Sequence, residues 1–441
     1  MRSSRVWRLA GIVLLAGMAF ASACNDSPLS GPQALGRLDP TRVMAVGDGY
    51  LAGVTDGALF ITGQAVSVPA LFVQQAAPGA EFLQPLVADP GIALDDPTAG
   101  RITLVRPRPL ELARLASGEP ITSGPNRPYD NLGVPGALLG EALTARSSAT
   151  SLFGNPFYDL VLRDRGTFAD QVAEREATMV LLWLGTSDVL TYVARGGDPA
   201  LAPGLPTPPV NFESSYTTLV DQLLEVTDQV VLFTIPDVTR FPILTAVPNL
   251  VIHPVTGDTV LVTVTEIDSV TGLPIGGRQV PVPLLGPAGQ LGGADRVTLD
   301  ALPLVQQGMG IPRELGGAGT PLPNRAILDA DEISLARDAV ASYNEAILRI
   351  AEERDLAVVD VHALVEQLAS DGVLSDGILL TNEWLRGQAF SLDGAYFTPK
   401  GYGVVTNLLI DAVNARYGSR LRPVRTSALR GIPLLSVATE R

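Results

Sequence analysis

Cysteine, histidine and lysine are nearly missing from this sequence. Its 441 residues hold one cysteine, Cys24, two histidines, His253 and His362, and one lysine, Lys400. A lone cysteine leaves no intrachain disulfide. Two histidines far apart in sequence offer no metal-ligand spacing, so neither a metal nor another cofactor is expected. Basic side chains are in deficit as well, with 31 Lys and Arg against 46 Asp and Glu and a formal charge of -15. That balance excludes nucleic acid as an expected partner, because phosphate binding needs a basic surface. Internal repeats are absent. Long apolar runs are also missing. "LAGIVLLAGMAF", Leu9 to Phe20, is too short to span a bilayer, and no other run approaches the required length.

The amino-terminal segment is nevertheless informative. Arg2, Arg5 and Arg8 precede the apolar stretch, and "ASAC" closes it at Cys24. This pattern resembles the signal peptide and lipobox of bacterial lipoproteins. The resemblance implies that residues 1–23 are removed, that the Cys24 thiol carries diacylglycerol, and that Cys24 becomes the first residue. Lipidation would account for a free thiol in an exported chain; the alternative is an ordinary secretory signal with an incidental cysteine. Residues 24–40 then form a polar Pro/Gly tether. The expected location is the cell envelope, on the periplasmic side or the cell surface, with membrane contact through the anchor alone.

From residue 41 strands and helices alternate. "RVMAV", "TMVLLWLG", "QVVLFTIPD" and "LAVVDV" are buried-strand runs. Helices are expected over "SVPALFVQQAA", after Thr167 with Asp170 as capping-box partner, and over "ESSYTTLVDQLLEV". A long helix after Asp329, with Glu332 as its partner, places Ile333, Ala336, Val340, Tyr343, Ile347 and Ile350 on one stripe. A last helix starts at Thr398-Pro399. Residues 245–325 break this rhythm, and "DTVLVTVTEI" followed by "SVTGLP" predicts a hairpin within a β-rich insertion. The expected fold is a three-layer α/β/α sandwich with a mainly parallel sheet over 41–418, and a tail over 419–441. Ligands in such sheets sit at the carboxyl ends of the strands.

Three segments end strands or open helices at that edge, "GDGY" (Gly47 to Tyr50), "LGTSDV" (Leu184 to Val189) and "LDGAYFTPKGY" (Leu392 to Tyr402), and a fourth, "YDNLGVPGA" (Tyr129 to Ala137), is a glycine-bearing loop. Together they resemble the conserved blocks of the SGNH/GDSL hydrolase superfamily, over roughly residues 40–415 outside the insertion. The resemblance implies a flavodoxin-like fold and a cleft for carbohydrate or lipid acyl esters. It also places the family's catalytic residues. Gly47 and Asp48 match, but Gly49 stands at the nucleophilic serine. Gly136 matches the oxyanion-hole glycine. Gly185 and Asp188 match, but Ser187 replaces the asparagine. Asp393 matches the orienting aspartate, but Tyr396 stands at the histidine.

Glycine has no hydroxyl to acylate, and a phenol with a pKa near ~10 is a poor base at neutral pH. The expectation is a pseudoenzyme that binds a small-molecule, glycan or lipid-ester ligand, or a partner, through the emptied cleft. A second expectation is an active ester hydrolase with a rearranged site, using water activated by His362 or by an aspartate such as Asp48 or Asp188. A third is a purely structural envelope protein. His362 follows a strand and is expected at the same edge; His253 lies in the insertion as a turn residue.

Overall fold

The computed structural model describes residues 34–107, 110–121, 124–253, 257–269, 271 and 273–432. The expected signal peptide, Cys24, the first part of the expected tether and the last residues of the expected tail lie outside the described residues. Its centre is one five-stranded parallel sheet of β1 (Val43–Gly47), β2 (Asn131–Gly133), β3 (Met179–Trp183), β4 (Val230–Phe233) and β5 (Ala357–Val359). The spatial order is 2-1-3-4-5. In that order the chain reverses its direction of travel between β1 and β3, and the crevice above these two strands is the natural ligand position.

The apolar runs become strands because they are buried on both faces. Every residue of β1, β3 and β4 is buried. Trp183 at the end of β3 is sandwiched by Tyr50 at 5.0 Å and Phe233 at 4.9 Å, which ties three strand ends together. The principal helices are α1 (Gly49–Ala52), α2 (Val68–Ala76), α3 (Phe168–Arg175), α4 (Thr186–Ala194), α5 (Pro209–Leu224), α6 (Ala330–Glu353), α7 (Val361–Ala369) and α8 (Pro399–Tyr417). Helices α2 and α8 pack on each other; α3 packs on α5, α5 on α6, and α6 on α4.

Local signals in the sequence set most of these boundaries. At α3 the Thr167 N–H donates to Asp170 Oδ2 at 2.9 Å and the Asp170 N–H to Thr167 Oγ1 at 3.3 Å. Asp329 Oδ1 accepts the amides of Asp331 and Glu332 at 3.0 and 2.9 Å, and Glu332 returns a bond to the Asp329 N–H. Thr398 Oγ1 accepts the Gly401 amide at 3.1 Å above Pro399. Each cap satisfies backbone donors that the helix itself leaves free.

Other expectations change. "LAVVDV" is a strand only to Val359; Asp360 then caps α7, accepting the Ala363 amide at 3.0 Å. The folded body begins near Leu35: the Arg37 N–H donates to Tyr417 O at 2.8 Å, and Leu38 is buried. It also runs past 418, since Asn407 and Asn414 hold the backbone of Val424 and Leu421, and Val424 and Ile432 are buried.

The segment 245–325 contains a hairpin, Leu261–Ile267 against Pro274–Pro281, whose first strand is exposed along its whole length. The rest of the segment belongs to the main core through Val251, Leu284, Val297, Ala301 and Leu322. A second hairpin, Ala99–Pro107 with Leu110–Ala116, was not foreseen from the sequence. Among the described residues, no helix is long and apolar enough to cross a membrane.

Candidate functional site

Over the carboxyl ends of β1 and β3 opens a cleft of about 930 Å³. Its floor is formed by Gly57, Gly136, Ser187, Asp393 and Tyr396. Its walls come from the hairpin through Ile102 and Leu112, from α4 through Leu190, and from the insertion through Leu299 and Leu304. Three of the four sequence blocks line the cleft, and the first lies beneath it, with Asp48 against Ser187 and Gly49 against Tyr396. Two walls were missed in the sequence, although the alternation in "GRITLV" was a legible strand signal.

Asp48 ends β1 and caps α1. Its Oδ1 accepts the Tyr50 amide at 3.1 Å, and its Oδ2 accepts both the Ser187 amide at 3.1 Å and the Ser187 hydroxyl at 2.9 Å. Burial pushes the Asp48 carboxyl up to about 7, against the pull of these three donors. Asp188, the next residue on α4, turns the other way. It accepts the Leu139 amide at 3.0 Å and the Thr207 hydroxyl at 2.5 Å, and burial pushes it up to about 6. Both aspartates bind backbone at strand and helix ends and neither opens to the cleft. Ser187 covers Asp48 and is the one serine lining the cleft among the described residues.

Asp393 is fully engaged. Its Oδ1 accepts the amides of Ala395 and Tyr396, both at 2.7 Å, and its Oδ2 accepts the Gly57 amide at 2.5 Å and the Ser391 hydroxyl at 2.8 Å. Burial raises its pKa, and those same four donors oppose the rise. Beside it, Asp56 accepts the Leu392 amide at 3.0 Å and is pushed up to about 6 by burial. Asp56 sits at φ 51 in the turn before Gly57. Sequence reasoning missed it, although "TDG" is a turn signature.

Gly49 and Tyr396, which the resemblance sets at the nucleophile and the base, meet in space. A Cβ on Gly49 would lie 2.6 Å from Cε1, 2.8 Å from Oη and 2.9 Å from Cζ of Tyr396. The tyrosine ring thus fills the volume that a side chain on residue 49 would need. It is 5% exposed and packs on the Tyr50 ring at 4.8 Å. Burial first, then the nearby Asp48 and Asp393, hold the phenol well above its ordinary range, so it is a neutral hydrogen-bond donor. Gly136 adopts φ +75, a left-handed conformation that glycine accommodates without strain. Next to it Asn155, also unforeseen, lines the cleft and donates its amide to Pro135 O at 2.8 Å.

His362 does not join them. The helix that Asp360 starts carries it away, and its imidazole Nδ1 donates to Ile235 O at 3.2 Å while its amide is held by Thr234. It does not line the cleft. Among the described residues no group of three or more His, Cys, Asp or Glu could hold a metal ion. No protein-family model and no curated protein sequence matches the chain.

Proposed function

We propose that this protein is an SGNH/GDSL-hydrolase-like envelope lipoprotein that has lost ester hydrolysis and uses its cleft to bind a ligand. One observation carries the reading: Tyr396, at the position of the catalytic base, occupies the space of the missing nucleophile at Gly49. Loss of serine alone would leave a hole, whereas here the cavity is closed by the second substitution. Support for the fold comes from the strand order 2-1-3-4-5 and from the two helix groups, α2 with α8 and α3 to α6, which fit the outer layers of a three-layer sandwich. The Asp393 bonds to its own turn and to Gly57 fit a residue whose partner has gone, since all its acceptor directions serve backbone and Ser391.

The test is a pair of assays. The purified wild type should turn over no short-chain p-nitrophenyl ester above background. The combined variant Gly49→Ser, Ser187→Asn, Tyr396→His should acquire measurable turnover and fluorophosphonate labelling at position 49. Single changes should not, because nucleophile and base act as a unit.

A second reading has one observation in its favour. Ser187 lies in the cleft with its hydroxyl 2.9 Å from Asp48, whose carboxyl is pushed up to about 7. That pair could support ester hydrolysis with Ser187 as nucleophile and Asp48 as base. Wild-type turnover that rises through pH 7, labels Ser187 with fluorophosphonate and vanishes in Ser187→Ala would establish it in place of the first.

A further inference from the structure

We propose that Tyr396 has become the ligand-recognition residue of the cleft, its phenol donating a hydrogen bond to the carbonyl oxygen of an uncharged, largely apolar acyl ester or amide. This rests on the reading of the cleft as a binding site.

The hydroxyl itself is the first evidence. Tyr396 is 5% exposed, it lines the cleft, and among the described residues its hydroxyl has no hydrogen-bond partner. The hydroxyl is not among the unpartnered polar atoms sealed from water, so it is open to an acceptor brought into the cleft. The neighbouring tyrosines show the contrast: Tyr50 donates to Ala395 O at 2.9 Å, and Tyr402 donates to Val54 O at 2.6 Å. Those two hydroxyls are bound to the protein's own backbone; that of Tyr396 has no such acceptor and belongs to a residue that lines the cleft.

The ring is also held still. Its backbone amide is fixed by Asp393 at 2.7 Å and its face by Tyr50. A donor fixed in this way loses little freedom on binding. Its hydroxyl stands 2.8 Å from where the Cβ of residue 49 would be, beside the point at which an ester carbonyl would meet a serine. A carbonyl carried to that place would find the phenol and no nucleophile.

The surroundings select against charge. Asp48, Asp56, Asp188 and Asp393 lie in or under the floor, each held by backbone donors and none ion-paired. A carboxylate ligand would add a further negative charge in that low-dielectric setting. The cations that line the cleft are Arg114, Arg195 and Arg325. Arg114 is paired with Asp95 at 2.7 Å, Arg195 donates to Leu201 O and Arg325 lies in the field of Asp300, and the five lining carboxyl groups of Asp95, Glu111, Glu141, Asp300 and Asp393 outnumber the three guanidinium groups. Leu94, Ile102, Leu112, Leu190, Leu299 and Leu304 give the apolar remainder, and the volume of about 930 Å³ is in the upper part of the usual range for ligand sites, roughly 300–1,000 Å³.

The experiment uses the purified full chain and methyl decanoate labelled with ¹³C at the carbonyl. Wild type should bind the ester intact, and isotope-edited infrared spectra should show its carbonyl band below the frequency of the same ester in an apolar solvent. Tyr396→Phe should abolish that shift and weaken ester binding about three- to tenfold, the value of one hydrogen bond. Decane should bind both proteins alike, and decanoate at pH 8 should bind wild type more weakly than the ester. No binding of the ester to wild type, an unshifted band in wild type, or a Tyr396→Phe variant that keeps the shift each overturns the proposal. Decanoate binding tighter than the ester, through Arg114, does so too. The wild-type band decides the matter even if the variant fails to fold. Hydrolysis of the ester would instead refute the loss of activity proposed above, and the carbonyl band measured before turnover would still report on Tyr396.

Discussion

Replacing Gly49 by alanine isolates the relation between Gly49 and Tyr396. The new Cβ would approach Tyr396 to 2.6 Å at Cε1, 2.8 Å at Oη and 2.9 Å at Cζ. Carbon atoms do not pack stably below about 3.5 Å, so the ring must move. It cannot move cheaply, because the Tyr50 ring packs against it at a tilt and its amide is fixed by Asp393. Overpacking of this kind costs about 1–3 kcal/mol. Alanine in place of glycine within the first turn of α1 returns up to about 1 kcal/mol through helix propensity. The net expectation for Gly49→Ala is a loss of about 1–2 kcal/mol. In a Tyr396→Ala background the obstruction is gone, and the same change should be neutral or stabilising by up to about 1 kcal/mol. The double-mutant cycle should therefore give a coupling of roughly 1–3 kcal/mol. Guanidinium unfolding followed by tryptophan emission measures it, since Trp183 stacks on Tyr50 at 5.0 Å and reports on this corner. If Gly49→Ala has the same effect in both backgrounds within about 0.5 kcal/mol, the two residues do not share one volume and the reasoning fails.

The buried acids make stability depend on pH. Asp48 is pushed up to about 7, and Asp56 and Asp188 to about 6, so the folded protein holds protons that the unfolded chain releases near its ordinary carboxylate pKa. Their contribution is complete below about pH 4 and is lost as pH rises through 6 to 7; unfolding midpoints should fall across that interval. Asp56→Asn keeps an acceptor for the Leu392 amide and suits φ 51, so it should stabilise the protein at pH 7.5 by on the order of 1–3 kcal/mol and have little effect at pH 4. Equal effects at both pH values would count against this. The exposed hairpin is dispensable: replacing Leu261–Pro281 with Asn-Gly joins Val260 to Val282, which already share a hydrogen bond of 3.1 Å, and cooperative melting should survive. Deleting all of 245–325 removes Val251, Leu284, Val297 and Leu322 from the core and should abolish cooperative melting. Cys24 should incorporate an alkynyl fatty acid in cells and lose it in Cys24→Ser; an unlabelled wild type refutes the anchor.

Much of the local structure was written in the sequence. Helix starts at Thr167, Asp329 and Thr398 were legible because a cap lies within a few residues of the donors it satisfies. The apolar runs of β1, β3 and β4 were legible because strands buried on both faces admit little else. The order of the four blocks was enough to gather Gly136, Ser187, Asp393 and Tyr396 on one floor. Tertiary structure decided the rest, because its contacts join residues with no local relation. Residues 49 and 396 lie far apart in sequence, and only packing shows that the Tyr396 ring fills the space a side chain at 49 would need. Asp48 and Ser187 lie 139 residues apart and are joined by the pairing of β1 with β3. His362 was placed by sequence at the right edge of the sheet, but the cap at Asp360 starts a helix one residue early and sends the imidazole to Ile235. The hairpin at 99–116 and the core residues of the insertion became walls of the cleft through long-range apolar contact, which carries no short-range signal.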